Sequence, residues 1–209
     1  MKKSFPKVVI VYNKMLDPIF IFYSQNSEHG KRLKWDLWTP PDEKEIKRRI
    51  RQYRKAWLPF EKPFFDMMEK LTNTPCVNKI IDVHIVSGSP RQIGSPIIIK
   101  SGFSKDEFVI TLVHELIHYY INIHHLPASF KNNKNTNNTH LTRKHIVVFS
   151  ILKYFFNDVI RQPQLTSQAK EMSKKHETNE YLRAWEYAEK NYLKVIKTFS
   201  KILKRNKIF

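Results

Sequence analysis

The sequence is poor in cysteine: Cys76 is the only one among 209 residues. A single thiol cannot form an intramolecular disulfide, so the sequence does not indicate a disulfide-stabilised secreted fold. A reducing compartment is the default for such a chain, and we expect a cytoplasmic protein. A zinc ribbon is also excluded, because that motif needs a set of cysteines.

Long hydrophobic runs are missing as well. No run approaches the roughly 20 apolar residues of a membrane-spanning helix. The N-terminal stretch "MKKSFPKVVIVYNK" has an apolar core too short for a signal peptide, and a lysine follows it too early. We therefore expect no membrane partner. With 41% apolar and 27% charged residues, the chain should fold as a single domain over residues 1–209. We place its core at about 75–160 and a helical extension at about 165–205.

Acidic residues are scarce. Against 37 lysines and arginines there are 19 acidic residues, which gives a formal charge of +18. Basic side chains near phosphates release counterions, so nucleic acid is a candidate partner. However, an AT-rich genome would also raise the lysine content. In addition, "KEIKRRIRQYRK" (44–55) and "KVIKTFSKILKRNK" (194–207) carry apolar residues at helical spacing, which is typical of a solvated helix face. Charge alone leaves both explanations open.

Apolar periodicity predicts a mixed α and β chain. "KVVIVYN" (7–13) and "PIFIFYS" (18–24) are typical of short strands that could form a hairpin. A long helix should open at Pro41 and Asp42 and be kinked or broken near Pro59 and Pro63. "KIIDVHIVS" (79–87) and "IIIK" (97–100) predict two further strands, separated by a Gly/Ser/Pro loop.

A helix is predicted from about 105 to about 123. Ser104 and Glu107 fit a capping box, in which the two residues bond each other's backbone N–H groups. The Asn-rich segment 126–140 is predicted to be a flexible loop. A second helix should cover 141–160, and a third should follow "RQPQLTS". Together with the strands, these helices predict an α+β fold.

The predicted helix contains the pattern H-E-x-x-H. Residues four apart lie on one helix face, so His114 and His118 can both direct an imidazole nitrogen at one ion. Glu115 is displaced by about 100° around the axis, which suits a carboxylate that takes a proton from a water at the metal. The pattern therefore predicts a metal site with His114 and His118 as ligands and Glu115 as general base, a constellation that hydrolyses amide bonds.

The surroundings of the motif strengthen this prediction. In "TLVHELIHYY" (111–120) Glu115 is the only charged residue. Burial of a carboxylate without a partner is costly, and a metal with its water would supply a partner. The alternative is a core helix whose histidines bond backbone carbonyls.

Residues 111–120 resemble the extended zincin metallopeptidase signature, and the two strands before the helix resemble the small zincin sheet. The resemblance covers about residues 79–150. It implies Zn²⁺ as cofactor, His114 and His118 as zinc ligands, Glu115 as catalytic base, and a protein or peptide substrate. One of the strands before the motif, such as "PIIIK" (96–100), would then pair with an extended substrate.

A catalytic zinc usually has three protein ligands, and His124 is the first candidate for the third. It stands at the metzincin spacing H-E-x-x-H-x-x-G-x-x-H. That pattern turns at its glycine, whereas this chain has Ile121, for which positive φ is costly. His125 is out of step with the pattern and is better explained as a residue at the helix C-terminus.

His145 is the preferred third ligand. It precedes Phe149 by four residues, which resembles the SprT-like metalloproteases, where the third histidine lies on the next helix with an aromatic residue behind it. This chain differs in having Ile146 where that family usually has glycine. His140 could replace His145 or face the substrate, although an ordinary loop histidine needs no role.

Glutamates of the last predicted helix are the remaining candidates. Gluzincins, including their small single-domain members, take a glutamate ligand from a downstream helix, commonly followed by an alanine. Glu180 and Glu177 could serve, with Ala184 and Ala188 as small residues. The usual E-x-x-A-D spacing is not met, because Tyr181 stands three residues before Ala184.

These observations predict a zinc-dependent metallopeptidase with a small zincin-like sheet, a motif helix and packed C-terminal helices. The expected ligands are His114, His118 and His145. The alternative is a non-catalytic protein in which the metal is only a structural brace, in either case with DNA as a candidate partner.

Overall fold

The computed structural model describes residues 5–32, 34–88, 93–94, 96–126, 139–174 and 179–205. Within these ranges the elements are, in chain order, β1 (Lys7–Tyr12), α1 (Asp17–Asn26), α2 (Glu28–Arg32), a 3-10 turn (Trp35–Leu37), α3 (Glu43–Thr72), β2 (Ile80–Val86), β3 (Ile93–Gly94), β4 (Ile97–Lys100), α4 (Lys105–Ile123), α5 (His140–Tyr154), a π-helical turn (Phe155–Val159), α6 (Pro163–Lys174) and α7 (Glu180–Arg205). The predicted α+β class is confirmed.

Internal contacts divide the chain into two compact units. One comprises residues 1–61 and 78–115, and the other comprises residues 62–77 and 116–209. The division falls inside α3 and α4, so each unit includes part of both helices. That 1–209 folds as a single domain stays a prediction.

The first unit contains a sheet with the strand order β1-β2-β4-β3. β1, β2 and β4 run parallel, and the two-residue β3 is antiparallel to β4. Side chains of one face are buried, because alternate strand residues point the same way; they include Val8, Ile10, Ile81, Val83 and Ile85. β4 pairs with β2 along its length, and with β3 at Ile97 and Ile98, so β3 covers the first half of the other edge of β4.

The outer edge of β1 is bonded to side chains of α3. The backbone N–H of Val8 donates to Oε1 of Glu61 at 2.6 Å. Arg54 donates from Nε and Nη2 to the carbonyl oxygen of Ile10, at 3.1 and 2.6 Å. An edge strand whose outward groups are already bonded does not readily accept another strand, so this end of the sheet is closed.

The strand predicted at 18–24 is wrong: these residues lie in α1. Pro18 occupies the first turn, where its missing N–H costs nothing. The carboxylate of Asp17, 2% exposed, accepts hydrogen bonds from the Tyr12 hydroxyl at 2.6 Å and from the backbone N–H and hydroxyl of Ser87. These bonds fix the start of α1 beside the ends of β1 and β2, and this tertiary anchor overrides the β propensity of the run.

The long helix is not broken near Pro59 and Pro63, because α3 is one helix of 30 residues; that it is kinked there stays a prediction. Pro59 and Pro63 remove the helix bonds to the carbonyls of Lys55 and Pro59. Both of those residues are exposed, so water can bond the carbonyls and the helix continues. The side chain of Asp42 accepts from the backbone N–H of Glu45 at 2.7 Å, which makes Asp42 the cap before the first turn.

Helices make up the second unit, in which α5 and α7 pack against each other. Ala184 and Ala188 are fully buried on α7, and their small side chains allow close approach. Phe149 of α5 stacks on Trp185 of α7 with centroids 4.5 Å apart. The third predicted helix is two helices, since α6 already begins at Pro163, inside the expected linker. Among the described helices, none has the length and hydropathy to cross a membrane.

Candidate metal centre

The helix that carries the motif begins where the capping box predicted. The backbone N–H of Ser104 donates to Oε2 of Glu107 at 2.9 Å, and the N–H of Glu107 donates to Oγ of Ser104 at 3.2 Å. α4 then runs from Lys105 to Ile123 without a break. His114 and His118 are therefore one turn apart on one face, about 6 Å along the axis.

His145 comes from α5. This helix is capped by Thr139, whose hydroxyl accepts from the N–H of Thr142 at 3.1 Å. His145 is 4% exposed, and its Nδ1 lies 2.9 Å from the carbonyl oxygen of Leu141. A carbonyl only accepts, so Nδ1 carries the proton and the lone pair is on Nε2. Histidines that bind metals commonly have this arrangement.

The structure brings the three histidines together. Ligand nitrogens of His114, His118 and His145 all lie within 4.8 Å of one another. The rings of His118 and His145 meet edge to face, with centroids 5.2 Å apart and planes at 71°. In a tetrahedral site, Zn–N bonds of about 2.1 Å place the ligand nitrogens about 3.4 Å apart. The observed upper limit of 4.8 Å between the histidine nitrogens is compatible with this separation. These three histidines could hold a metal ion.

Burial keeps His118 neutral. Its pKa is lowered to about 3, first by desolvation and then by the nearby His145 and Lys144. A neutral ring carries a lone pair on one nitrogen, and this is the form that binds a metal. His118 is 8% exposed, whereas His114 is only half-buried. Two of the three histidines are thus shielded from solvent and the third is partly exposed.

Glu115 lies next to the first histidine but outside the ligand group. It is 8% exposed, and the set of potential ligands among the described residues does not include it. Its position, about 100° around α4 from His114, separates it from the face that carries both imidazoles. The geometry agrees with a role other than ligation.

The structure does not bring His124 into the group. Ile121 stays helical, and the chain turns at His125, whose φ is 49°. The N–H of Leu126 donates to the carbonyl of Ile121 at 2.9 Å, and that of His125 to the carbonyl of Asn122 at 3.1 Å. This is a Schellman helix end. The ring of His124 lies against Tyr120 instead, with centroids 4.6 Å apart.

The other candidate ligands also stay outside the group. His140 is exposed at the start of α5, and Glu180 is half-buried in the first turn of α7. In the described part of the chain, neither belongs to a cluster that could hold a metal. Glu177 and most of the predicted loop 126–140 lie outside the described residues.

Sequence reasoning missed Tyr181. Its ring lies 4.4 Å from that of His145 and 6.1 Å from that of Phe149, centroid to centroid. Phe149 also contacts His145, with ring centroids 5.4 Å apart. The available signal was the spacing to Ala184, which puts Tyr181 where a gluzincin has its glutamate. The residue of α7 that lies beside His145 is therefore aromatic and not a carboxylate.

Comparison with known proteins gives no relative. No protein-family model, curated protein or solved structure matches this chain at a significant level.

Proposed function

We propose that this chain is a zinc-dependent peptidase that hydrolyses peptide bonds. The observation that carries the proposal is the convergence of His114, His118 and His145 from two helices. Two of them are buried, and one has its Nδ1 proton bound by a backbone carbonyl. The adjacent Glu115 adds a carboxylate that a purely structural site does not need.

The donor set fits zinc. Three neutral imidazoles are a known ligand set for catalytic zinc, in which the fourth position is left to water or substrate. Imidazole also suits copper, iron and nickel, so the choice of zinc rests on the peptidase proposal. A bound zinc would polarise the substrate carbonyl and lower the pKa of a water to about 7.

Glu115 would act as general base and then as general acid. Its carboxylate would accept a proton from the attacking water and later give a proton to the leaving amine. The three histidines would hold their rings fixed while Glu115 alone changes protonation.

The substrate would approach the sheet at its β3 edge. β4 has β2 on one edge and, at Ile97 and Ile98, β3 on the other, and the outer edge of β1 is bonded to Arg54 and Glu61. An extended peptide that adds to β3 would bind through its backbone. Such binding would make the enzyme tolerant of substrate sequence.

Replacement of Glu115 by glutamine tests this function. We expect Glu115→Gln to keep one zinc per chain and to lose at least about a hundredfold in cleavage of a dye-labelled denatured protein, because the base is removed and the ligands are not. The matched control is Glu180→Gln, which changes a glutamate outside the ligand group and should leave activity intact.

The same experiment separates the peptidase from a metal-braced binding protein. A parent protein that is fully loaded with zinc and cleaves no protein substrate, or a Glu115→Gln variant as active as the parent, would contradict the proposal. His118→Ala should lose both zinc and activity.

A further inference from the structure

The second half of α7 carries a row of lysines. They stand four, three and four residues apart, so at about 100° per residue all lie within an arc of about 60°. All are exposed: Lys190, Lys194, Lys197 and Lys201. With a rise of about 1.5 Å per residue the row is about 16 Å long. We refer to these four side chains as the lysine row.

The lysine row has little acidic compensation: Lys190 contributes to the lowered pKa of Glu189, after the larger contributions of Lys170 and Lys153. From Lys190 to Phe209 the sequence contains no aspartate or glutamate. Among the described residues, no ion pair includes a member of the row. α3 is also rich in basic residues, but acidic neighbours neutralise several of them, through the pairs Glu43–Lys47, Glu45–Arg48 and Asp66–Lys62.

The interaction of lysines with the helix dipole explains only part of this pattern. Cations are favourable in the last turn of a helix, and the effect falls off beyond that turn. Lys201 is near the end of α7 at Arg205. Lys190 and Lys194 lie about three to four turns before that end, where the dipole no longer favours them. Their position calls for another explanation.

The opposite face of α7 is committed to the core. Val195, Ile196, Phe199 and Leu203 are each at most 8% exposed. Beside the lysine row, the described part of α7 exposes one large apolar side chain, that of Leu193, which is 57% exposed. A helix that binds a membrane surface inserts a broad apolar face beside its cations. α7 offers charge without such a face, which favours a polyanion with regular phosphates.

We propose that the lysine row binds the phosphate backbone of nucleic acid. Phosphates along one strand of a duplex rise about 3.4 Å each, so a row of about 16 Å is as long as about five of them. Because α7 is held by its buried face, the cations lie on a rigid support. The contact is with the backbone, so binding should not depend on base sequence. This inference does not rest on the peptidase proposal.

Charge removal from the lysine row tests this proposal. We expect K190Q/K194Q/K197Q/K201Q to weaken binding to a mixed-sequence DNA duplex of 30 base pairs, measured by fluorescence anisotropy. For four phosphate contacts the slope of log Kd against log salt should fall by about 3 to 4, and the loss at 50 mM salt should be about a hundredfold. The four arginine substitutions at the same positions should retain binding.

The matched control removes four exposed lysines from α3: K44Q/K47Q/K55Q/K62Q has the same change in net charge. We expect at most a few-fold loss, since charges farther than about one Debye length (~10 Å at 0.1 M salt) from the bound phosphates are largely screened. The proposal is overturned if this control weakens binding as much as the α7 variant, or if the α7 variant binds like the parent. Binding of the parent to phosphatidylserine vesicles but not to duplex DNA would also overturn it. Zinc content and peptidase activity do not enter this test.

Discussion

The ring of His145 is held from several sides. Nδ1 is 2.9 Å from the carbonyl of Leu141, and the ring contacts the rings of Phe149 and Tyr181. A ligand that is already oriented loses little entropy when it binds, so residues that only hold it in place affect metal affinity. By this argument Tyr181 is a positioning residue for the proposed ligand His145.

Removal of the Tyr181 ring should weaken the site. We expect Tyr181→Ala to lower zinc affinity about tenfold, because the imidazole of His145 gains rotational freedom. Competition with a chromophoric chelator measures this affinity. Tyr181→Phe retains the ring and should bind zinc like the parent.

A loss of zinc affinity in Tyr181→Phe would show that the hydroxyl, and not the ring, matters at the site. That result would contradict the positioning role. The visible spectrum of the cobalt-substituted protein gives a second readout, since altered orientation of His145 shifts the ligand-field bands even where affinity is unchanged.

At the residue scale, sequence predicts what is local. The predicted roles of His114, Glu115 and His118 follow from helical spacing, and the spacing of His145 to Phe149 made His145 the preferred third ligand. Ile121 made His124 a lesser candidate than His145, and the structure shows the turn four residues later, at His125. The approach of Tyr181 depends on how α5 and α7 pack, for which the sequence offers only the small residues Ala184 and Ala188 as a signal.

The candidate site depends most on α4, which carries His114, Glu115 and His118. The reciprocal bonds of Ser104 and Glu107 satisfy two backbone N–H groups at the helix start. Because Ser104 is exposed, its replacement creates no cavity, and the cap is its main contribution.

Loss of this cap should destabilise the protein measurably. We expect Ser104→Ala to lower the free energy of unfolding by about 1 kcal/mol, as measured by urea denaturation of the metal-free protein. Ser167→Ala, at an exposed interior position of α6, should be neutral or slightly stabilising because alanine has the higher helix propensity. Equal effects of the two substitutions would argue against the capping role.

Among the elements, those with local signals were predicted well. The bounds of α4 and β4 agree with the structure, and β1 and β2 agree within a residue at each end. α1 was mistaken for a strand because its run is β-rich, and only the buried Asp17 reveals why it is helical. α3 continues through Pro59 and Pro63 because its exposed side tolerates the lost bonds, which depends on burial and not on local sequence.

At the scale of the whole molecule, the histidine group has a consequence for stability. The side chains of His118 and His145 are buried in the folded chain. They are brought together with His114 only when the chain is folded. A ligand that binds only the folded chain stabilises it by mass action. If these residues bind zinc, the metal should therefore stabilise the entire chain against unfolding.

Zinc should raise the thermal stability of the protein. At a free zinc concentration one hundred times the Kd, the gain is about 2.7 kcal/mol, which corresponds to a rise in Tm of about 5–10 °C for a chain of this length. Differential scanning calorimetry with and without a chelator measures the shift. An unchanged Tm in the zinc-loaded parent would contradict a folded-state site.

The metal content of two histidine variants tests the central claim most directly. His145 and His124 are both histidines close to the motif, but only His145 belongs to the ligand group. After dialysis against zinc, mass spectrometric metal analysis should find one zinc per chain in the parent and in His124→Ala. His145→Ala should hold far less, and X-ray absorption of any residual zinc should show the loss of one imidazole. Full zinc in His145→Ala, or its loss in His124→Ala, would contradict the account.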